Sequence, residues 1–264
     1  MTFYCDIKVI LSIKGERGIK VSDLPIGKDL VSMVYFLTAI LILFITYAIL
    51  PTVLIRTLNW GIVKEISEAN AIALTFDDGP DPKYTAFLLD VLKKHHVRAT
   101  FFVVGEKAVQ RPELLKRMHA EGHAIGIHHY RHISSWILGP GSLRKQLNQT
   151  KQIIERAINE EVFLYRPPWG HFNLFSLWLA RNYEIVMWTG IFQDWKVKYI
   201  RNTLSVALTK ETKPGRIFLL HDSGETLGAD VNAPEYMIRH LDEYLQQAAE
   251  KGLRFVTLKE GTRE

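Results

Sequence analysis

Two carboxylates in a row, Asp77-Asp78, followed at once by Gly79-Pro80, are the first residues of this 264-residue chain whose types could do chemistry. Adjacent carboxylates at a strand end point to opposite sides or splay in a turn, so they can hold different jobs. The same four residues also spell a plain Asp-Gly turn. Histidine supplies the second group: five of the ten histidines lie between His119 and His132. His128 and His132 are spaced i, i+4, which on one helical turn would bring both imidazoles to one side, close enough to share a metal. A surface histidine cluster has the same spacing. With Asp78 the pair makes two histidines and one carboxylate, a facial set that leaves positions open for water and substrate. Further along stand Arg166-Pro167-Pro168-Trp169-Gly170, Asp194-Trp195 and Leu219-Leu220-His221-Asp222. The prolines and glycine of the first make a rigid, non-helical loop, and Arg166, if buried, needs a carboxylate partner.

Each of these groups follows a short apolar run. Strands are expected at 71–76, 99–104, 124–128, 162–166, 184–188, 216–221 and 254–257, with helical periodicity between them at 83–95, 112–121 and 143–158. In the last of these, Leu143, Leu147, Ile154 and Ile158 fall near one face. Pro112 suits a helix start, and Gly122 and Gly252 suit positions just past helix ends. Repeated strand–helix units imply an α/β fold with a parallel sheet and crossover helices. About seven units in roughly 200 residues favour a distorted, incomplete (β/α) barrel over an open sheet, with chemistry at the C-terminal strand ends. No Gly-x-Gly-x-x-Gly follows a strand, and there is neither an internal repeat nor a low-complexity tract.

The mean hydropathy of +0.00 averages two unlike parts. From Leu30 to Ile55 there is no charged residue. These 26 positions exceed the roughly 20 apolar residues that cross a hydrocarbon core. No small-residue cleavage site such as Ala-x-Ala closes the run, so an uncleaved signal anchor is expected rather than a removed signal peptide. Lys8, Lys14, Arg17, Lys20 and Lys28 precede it, against only Arg56 and Lys64 in a comparable stretch after it. Cationic flanks stay inside, which places the N-terminus in the cytoplasm and the catalytic part outside a single-pass cell membrane protein. The expected organisation is a cytoplasmic tail (1–29), the transmembrane anchor (30–55), a linker (56–70) and a catalytic domain (71–260). The net charge of +5 is spread thinly: 5 basic and 4 acidic residues in the first 29 give +1, and 28 and 24 in the remainder give +4. No basic cluster marks a nucleic-acid partner, and nothing implies a protein partner. The one cysteine, Cys5, falls on the inner side, so the outer domain has no disulfide.

Thr75-Phe76-Asp77-Asp78-Gly79-Pro80, His128-x-x-x-His132, Arg166-Pro167-Pro168-Trp169-Gly170, Asp194-Trp195 and Leu219-Leu220-His221 resemble, in order, the five motifs of polysaccharide deacetylases. These form the NodB-homology group, carbohydrate esterase family four. Residues 99–105 and 121–126 also resemble its framework, and the likeness spans about 70–258. The resemblance implies that Asp78, His128 and His132 bind a divalent metal, zinc first, with cobalt or manganese as alternatives. It implies Asp77 as general base, held by Arg166, and His221 as general acid, oriented by Asp194. Trp169 would offer its backbone N–H to the oxyanion, and Trp195 and Leu219 would wall the acetyl methyl group. The implied substrate is an N-acetylated glycan, either peptidoglycan or a chitin-like oligosaccharide, which would release acetate.

Four positions depart from the family pattern: Ile127 for Asn, His129 for Ser or Thr, Ile191 for the first Asp of Asp-x-x-Asp-Trp, and Trp169 for Tyr. Strand alternation should turn residues 127 and 129 away from His128 and spare the metal set. Two other readings remain open: an amide or ester hydrolase acting on a lipid-linked amino sugar or on acetylated xylan, and a catalytically silent carbohydrate-binding relative.

Overall fold

The structure, a computed structural model, describes residues 26–68 and 70–261. The expected cytoplasmic tail, Cys5 included, lies almost wholly outside the described residues. The chain forms two compact units, the first ending at Phe44 and the second running from Ile45. In the first, helix α1 (Ile26–Phe44) exposes apolar side chains such as Leu30, Phe36 and Leu43. Helical structure long and apolar enough to cross a membrane runs over Asp29–Leu58, containing the 30–55 span read from sequence.

The second unit opens with a π-helical stretch (Ile45–Ile49) and α2 (Leu50–Leu58). Then come β1 (Ala71–Asp77), α3 (Tyr84–Lys94), β2 (Thr100–Val103), α4 (Gly105–Ala108), α5 (Pro112–Ala120) and β3 (Ala124–Ile127). After α6 (Pro140–Ile158) follow β4 (Leu164–Tyr165), α7 (Ser176–Leu179), β5 (Glu184–Ile185) and β6 (Gly190–Ile191). The described residues continue with α8 (Val197–Ile200), α9 (Leu204–Glu211), β7 (Ile217–His221), α10 (Ala233–Glu250), β8 (Arg254–Phe255) and α11 (Leu258–Gly261). The strands pair in parallel in the order β5-β4-β3-β2-β1-β7-β6, and β8 pairs with the start of β1. The seven expected strands are all present, most of them shorter. The eighth, β6, is two residues long, too short for any periodicity to mark it.

Alternation along the strands builds the site. β1 is buried at all seven positions because its two faces meet different cores. Ile72, Leu74 and Phe76 face the helices, whereas Ala71 and Ala73 join Phe102, Ala124, Leu164, Val186 and Ile217 in the smaller cluster that fills the curl of the sheet. Period two then carries Thr75 and Asp77 onto the inner face with Ala71 and Ala73. The same parity brings Gly126 and His128 inward after Ala124, Arg166 after Leu164, and Leu219 and His221 after Ile217. Gly126 is a packing requirement: a Cβ there would lie 2.7 Å from the Phe102 ring and 3.0 Å from Leu164 Cβ.

The stretch 56–70, expected as a plain connector, begins in the last turn of α2 and then joins both sides of the curl. Val63 N–H donates to Ile185 C=O (2.8 Å), Met187 N–H donates to Val63 C=O (2.7 Å), and Ile66 N–H donates to Gly215 C=O (2.9 Å). Residues 63–66 therefore bridge the β5 end of the sheet to the start of β7, where no strand among the described residues closes the ring.

Candidate active site

Asp77 ends β1 on the inner face and meets Arg166, which is completely buried. The guanidinium donates to Asp77 Oδ1 (2.8 Å), Thr75 Oγ1 (2.7 Å), Val186 C=O (3.1 Å) and Met187 C=O (3.0 Å), and lies over the Phe102 ring. A cation with four hydrogen-bond acceptors, one of them a carboxylate, is stable where a lone one is not. Asp77 Oδ2 stays on the cavity side, 3.8 Å from His128 Nε2.

Asp78 has φ 77°, and this left-handed backbone turns its side chain away from the Arg166 pair. Its Oδ1 lies 3.4 Å from His128 Nε2 and 3.2 Å from His132 Nε2, and its Oδ2 accepts from Thr226 Oγ1 at 2.6 Å. Burial opposes its ionisation, but His128, His132 and His221 outweigh this and hold the carboxyl well below the usual carboxylate range. Asp78 Oδ1 is buried without a hydrogen-bond partner. His128 Nδ1 lies 2.7 Å from the Arg166 carbonyl, which can only accept, so Nδ1 carries a proton and Nε2 is the ring nitrogen that faces the Asp78 carboxylate, as a donor when protonated and as a lone pair for a metal when not. Acceptors converging in a buried spot require a cation. Ligands about 2.0–2.1 Å from a tetrahedral ion sit ~3.3 Å apart, which matches these separations. The residues thus fit a divalent metal, and they are the group of metal-ligand type among the described residues.

The i, i+4 spacing works differently from the sequence expectation. Residues 128–132 form a loop, not a helical turn, and His129 adopts φ 64° between the two ligands. His129 is fully buried and faces away from the metal set, its Nδ1 2.9 Å from Ile133 C=O and its Nε2 2.8 Å from Tyr165 Oη. Burial, with help from His128, pushes its pKa down to about 3, so it remains neutral and pins the loop. Ile127 fills the helix-side core, as alternation predicts.

Across the cavity, Asp194 clasps His221 twice, accepting from its backbone N–H (2.6 Å) and from its Nδ1 (2.9 Å). Desolvation works against the imidazolium, but the Asp194 charge and hydrogen bond, with Asp78 and Asp77 behind them, push its pKa up to about 10. Trp195 packs edge-on to His221, and Trp169, at φ 56°, packs edge-on to His132. Asp77, Asp78, His128, His132, Trp169, Trp195, Leu219 and His221 line one cavity of about 210 Å³. Arg166 and Asp194 lie behind it, so all ten residues singled out in the sequence converge here. The sequence reading missed Thr75 and Thr226, and Trp188, Leu227 and Ala229 in the cavity wall. Parity along β1 could have found Thr75; no pattern marks Thr226 in its loop. Ile191, half exposed, forms another part of the wall.

A curled parallel sheet with cation ligands, a held carboxylate and a held imidazole at one rim defines a hydrolase of acyl bonds. Comparison with known proteins narrows this. The polysaccharide deacetylase family model matches residues 64–188. A peptidoglycan-N-acetylglucosamine deacetylase of Bacillus cereus is 37% identical over 190 residues, 71% of this chain and 66% of that protein. A second B. cereus protein of that name is 34% identical over 193 residues, 72% of this chain and 86% of the relative. A crystal structure of a peptidoglycan N-acetylglucosamine deacetylase superposes with a TM-score of 0.70 at 32% identity, covering 78% of this chain and 95% of that one. A family pseudoenzyme from Bacillus anthracis superposes with a TM-score of 0.67 at 25% identity, covering 76% of this chain and 69% of that one. The chain belongs to the polysaccharide deacetylase family. Deacetylases of this family are metal-dependent in general.

Proposed function

We propose that this chain removes N-acetyl groups from the amino sugars of peptidoglycan and releases acetate. The observation that carries this reading is the convergence of Asp78, His128 and His132 with two proton-handling pairs, Asp77–Arg166 and His221–Asp194, around one cavity. The named relatives supply the substrate class.

Asp78, His128 and His132 would hold the metal; two imidazoles and a carboxylate suit zinc, with cobalt or manganese as alternatives. When bound, it polarises the acetamide carbonyl and lowers the pKa of a water from 15.7 towards ~7. Asp77 takes the proton from the attacking water at Oδ2, because Arg166 occupies Oδ1. The backbone N–H of Trp169 donates to the oxygen that becomes negative as the water adds to the acyl carbon. His221 Nε2 gives its proton to the sugar nitrogen as the C–N bond breaks, Nδ1 being engaged by Asp194. Trp195 and Leu219 wall the acetyl methyl. The products are acetate and a free amine; the turnover leaves Asp77 with the proton taken from water and His221 one proton short, and proton exchange with solvent resets both.

The Asp29–Leu58 helix and the basic N-terminal flank support a single-pass membrane protein with its catalytic unit outside the cell. The test is acetate release from peptidoglycan by the purified full chain supplied with zinc. Release that Asp78→Ala abolishes supports the reading; no release, or release indifferent to Asp78→Ala, overturns it. Retained stoichiometric metal without any turnover would instead place the chain with the silent members of the family.

A further inference from the structure

The loops that grip the end of the apolar helix also carry exposed apolar side chains. Within the second unit, Tyr47 Oη donates to Leu138 C=O and Leu174 N–H donates to Tyr47 C=O. Thr52 Oγ1 donates to Phe172 C=O (2.8 Å) and accepts from Phe172 N–H (2.9 Å) and Trp136 Nε1 (2.8 Å). Beside these contacts Ile137 is 74% exposed, Leu174 64% and Trp178 52%. Tyr47–Thr52 is therefore built into the catalytic unit and does not serve as a loose tether.

Helix length gives an independent depth. At 1.5 Å per residue, about 20 residues cross a hydrocarbon core ~30 Å thick. A crossing that starts at Leu30, where the uncharged run begins, would reach the far surface near Ile49, inside the stretch the loops hold. Exposed Ile137 and Leu174 would then lie near the level where lipid gives way to headgroups.

Charge supplies the third observation. Trp178 lies under two guanidiniums, Arg144 at 5.6 Å and Arg181 at 5.8 Å from its ring centroid. They share a cleft of about 380 Å³ with Asn148, Lys151 and Tyr183, and no acidic residue lines it. Lys151 is paired with Glu155 and Glu161; among the described residues neither arginine is paired with a carboxylate. Tryptophan with arginine beside an apolar edge is the composition of a bilayer interface.

We propose that Ile137, Leu174 and Trp178, with Arg144 and Arg181, dock the catalytic unit on the surface of an anionic bilayer. The apolar side chains enter the interface and the two guanidiniums hold lipid phosphates. The proposal rests on the membrane reading above. An acidic glycan would engage the arginines but leave Ile137 and Leu174 without a partner, and so fits less of the surface.

The test uses the full chain in nanodiscs whose lipids carry a headgroup-level quencher. In a Cys5→Ser background, Leu174→Cys carries a fluorophore, and Val206→Cys on α9 serves as the reference. In discs containing phosphatidylglycerol, quenching at 174 is expected to exceed that at 206 by about twofold or more. Phosphatidylcholine discs, or the Arg144→Gln/Arg181→Gln double variant, should lower the docking equilibrium about thirty-fold, at about 1 kcal/mol per cation. Unchanged circular dichroism and hydrolysis of a soluble oligosaccharide verify the fold of each variant. Equal quenching at 174 and 206 in a chain that resists carbonate extraction overturns docking but leaves anchoring intact. Extraction of the chain into carbonate overturns both. Quenching indifferent to phosphatidylglycerol and to the arginines overturns the phosphate contact. Shielding of residue 174 only by added acidic glycan reassigns the face.

Discussion

Asp77 and Asp78 share a strand end and a charge, yet their surroundings separate them. Arg166 occupies one oxygen of Asp77, whereas Asp78 faces two imidazoles. Asp77→Asn should lower turnover by about 10²–10⁴-fold while zinc content stays unchanged, because all three ligands remain; acetate release and metal analysis on one preparation check both. Arg166→Met strands a buried carboxylate, and urea unfolding should show a loss of about 3–5 kcal/mol. At the opposite wall, Asp194 keeps His221 protonated through neutral pH. Asp194→Asn should shift the alkaline limb of the kcat–pH profile to lower pH. Asp222 behaves differently. Burial pushes it up to about 7 against the Thr85 hydroxyl and Lys107, with Asp81 and Asp78 adding to the rise. Between its ordinary 3.8 and about 7 the folded chain keeps a proton that the unfolded chain has released. Stability therefore falls as pH rises through that window and stays lower above it. Urea midpoints at pH 5 and pH 8 should differ less in Asp222→Asn than in the parent chain.

At the scale of elements, strand parity and short loops do the positioning. The apolar runs and the motif at each strand end were legible in the sequence, and the same parity assembles Asp77, His128, Arg166, Leu219 and His221. The loop 128–132 was not legible as such, because i, i+4 spacing describes a helical turn and says nothing of a left-handed His129 clasped by Tyr165. Strand β6 and the 63–66 bridge were equally silent: two or three residues with long-range partners carry no periodicity. Val63→Pro removes the N–H that bonds Ile185 and should lower stability by about 1–3 kcal/mol without altering the metal ligands. Denaturant unfolding beside metal analysis would reveal the opposite outcome, loss of metal at unchanged stability. Gly79 has a comparable constraint, since a Cβ there would lie 2.2 Å from the Asp222 carboxylate.

At the scale of the molecule, a run of contacts joins the helix end to the catalytic rim. Thr52 bonds Trp136, Trp136 stacks on His171 at 3.8 Å, and His171 neighbours Trp169, whose ring meets His132 at 4.1 Å. Residues 45–58 therefore belong to the unit that carries the cavity. The proposed orientation has a direct readout in the single cysteine. In intact cells a membrane-impermeant thiol reagent should leave Cys5 unmodified and label it only after lysis, whereas a cysteine placed at the exposed Val206 should react in both. Reaction of Cys5 in intact cells would reverse the topology.

The sequence by itself determined the class: an uncharged span with a one-sided basic flank, alternating strand–helix units, and five ordered motifs with metal-binding and proton-handling side chains. Those are local properties, readable because apolar period and residue chemistry are written position by position. Only the tertiary structure decided that Tyr165 and Ile133 hold His129 to pin the loop, that Thr226 steadies Asp78, that residues 63–66 bridge two parts of the sheet, and that the helix end is part of the catalytic unit. Each of these depends on contacts between segments far apart in the chain, where burial and unsatisfied hydrogen-bonding groups, not sequence spacing, set the partner.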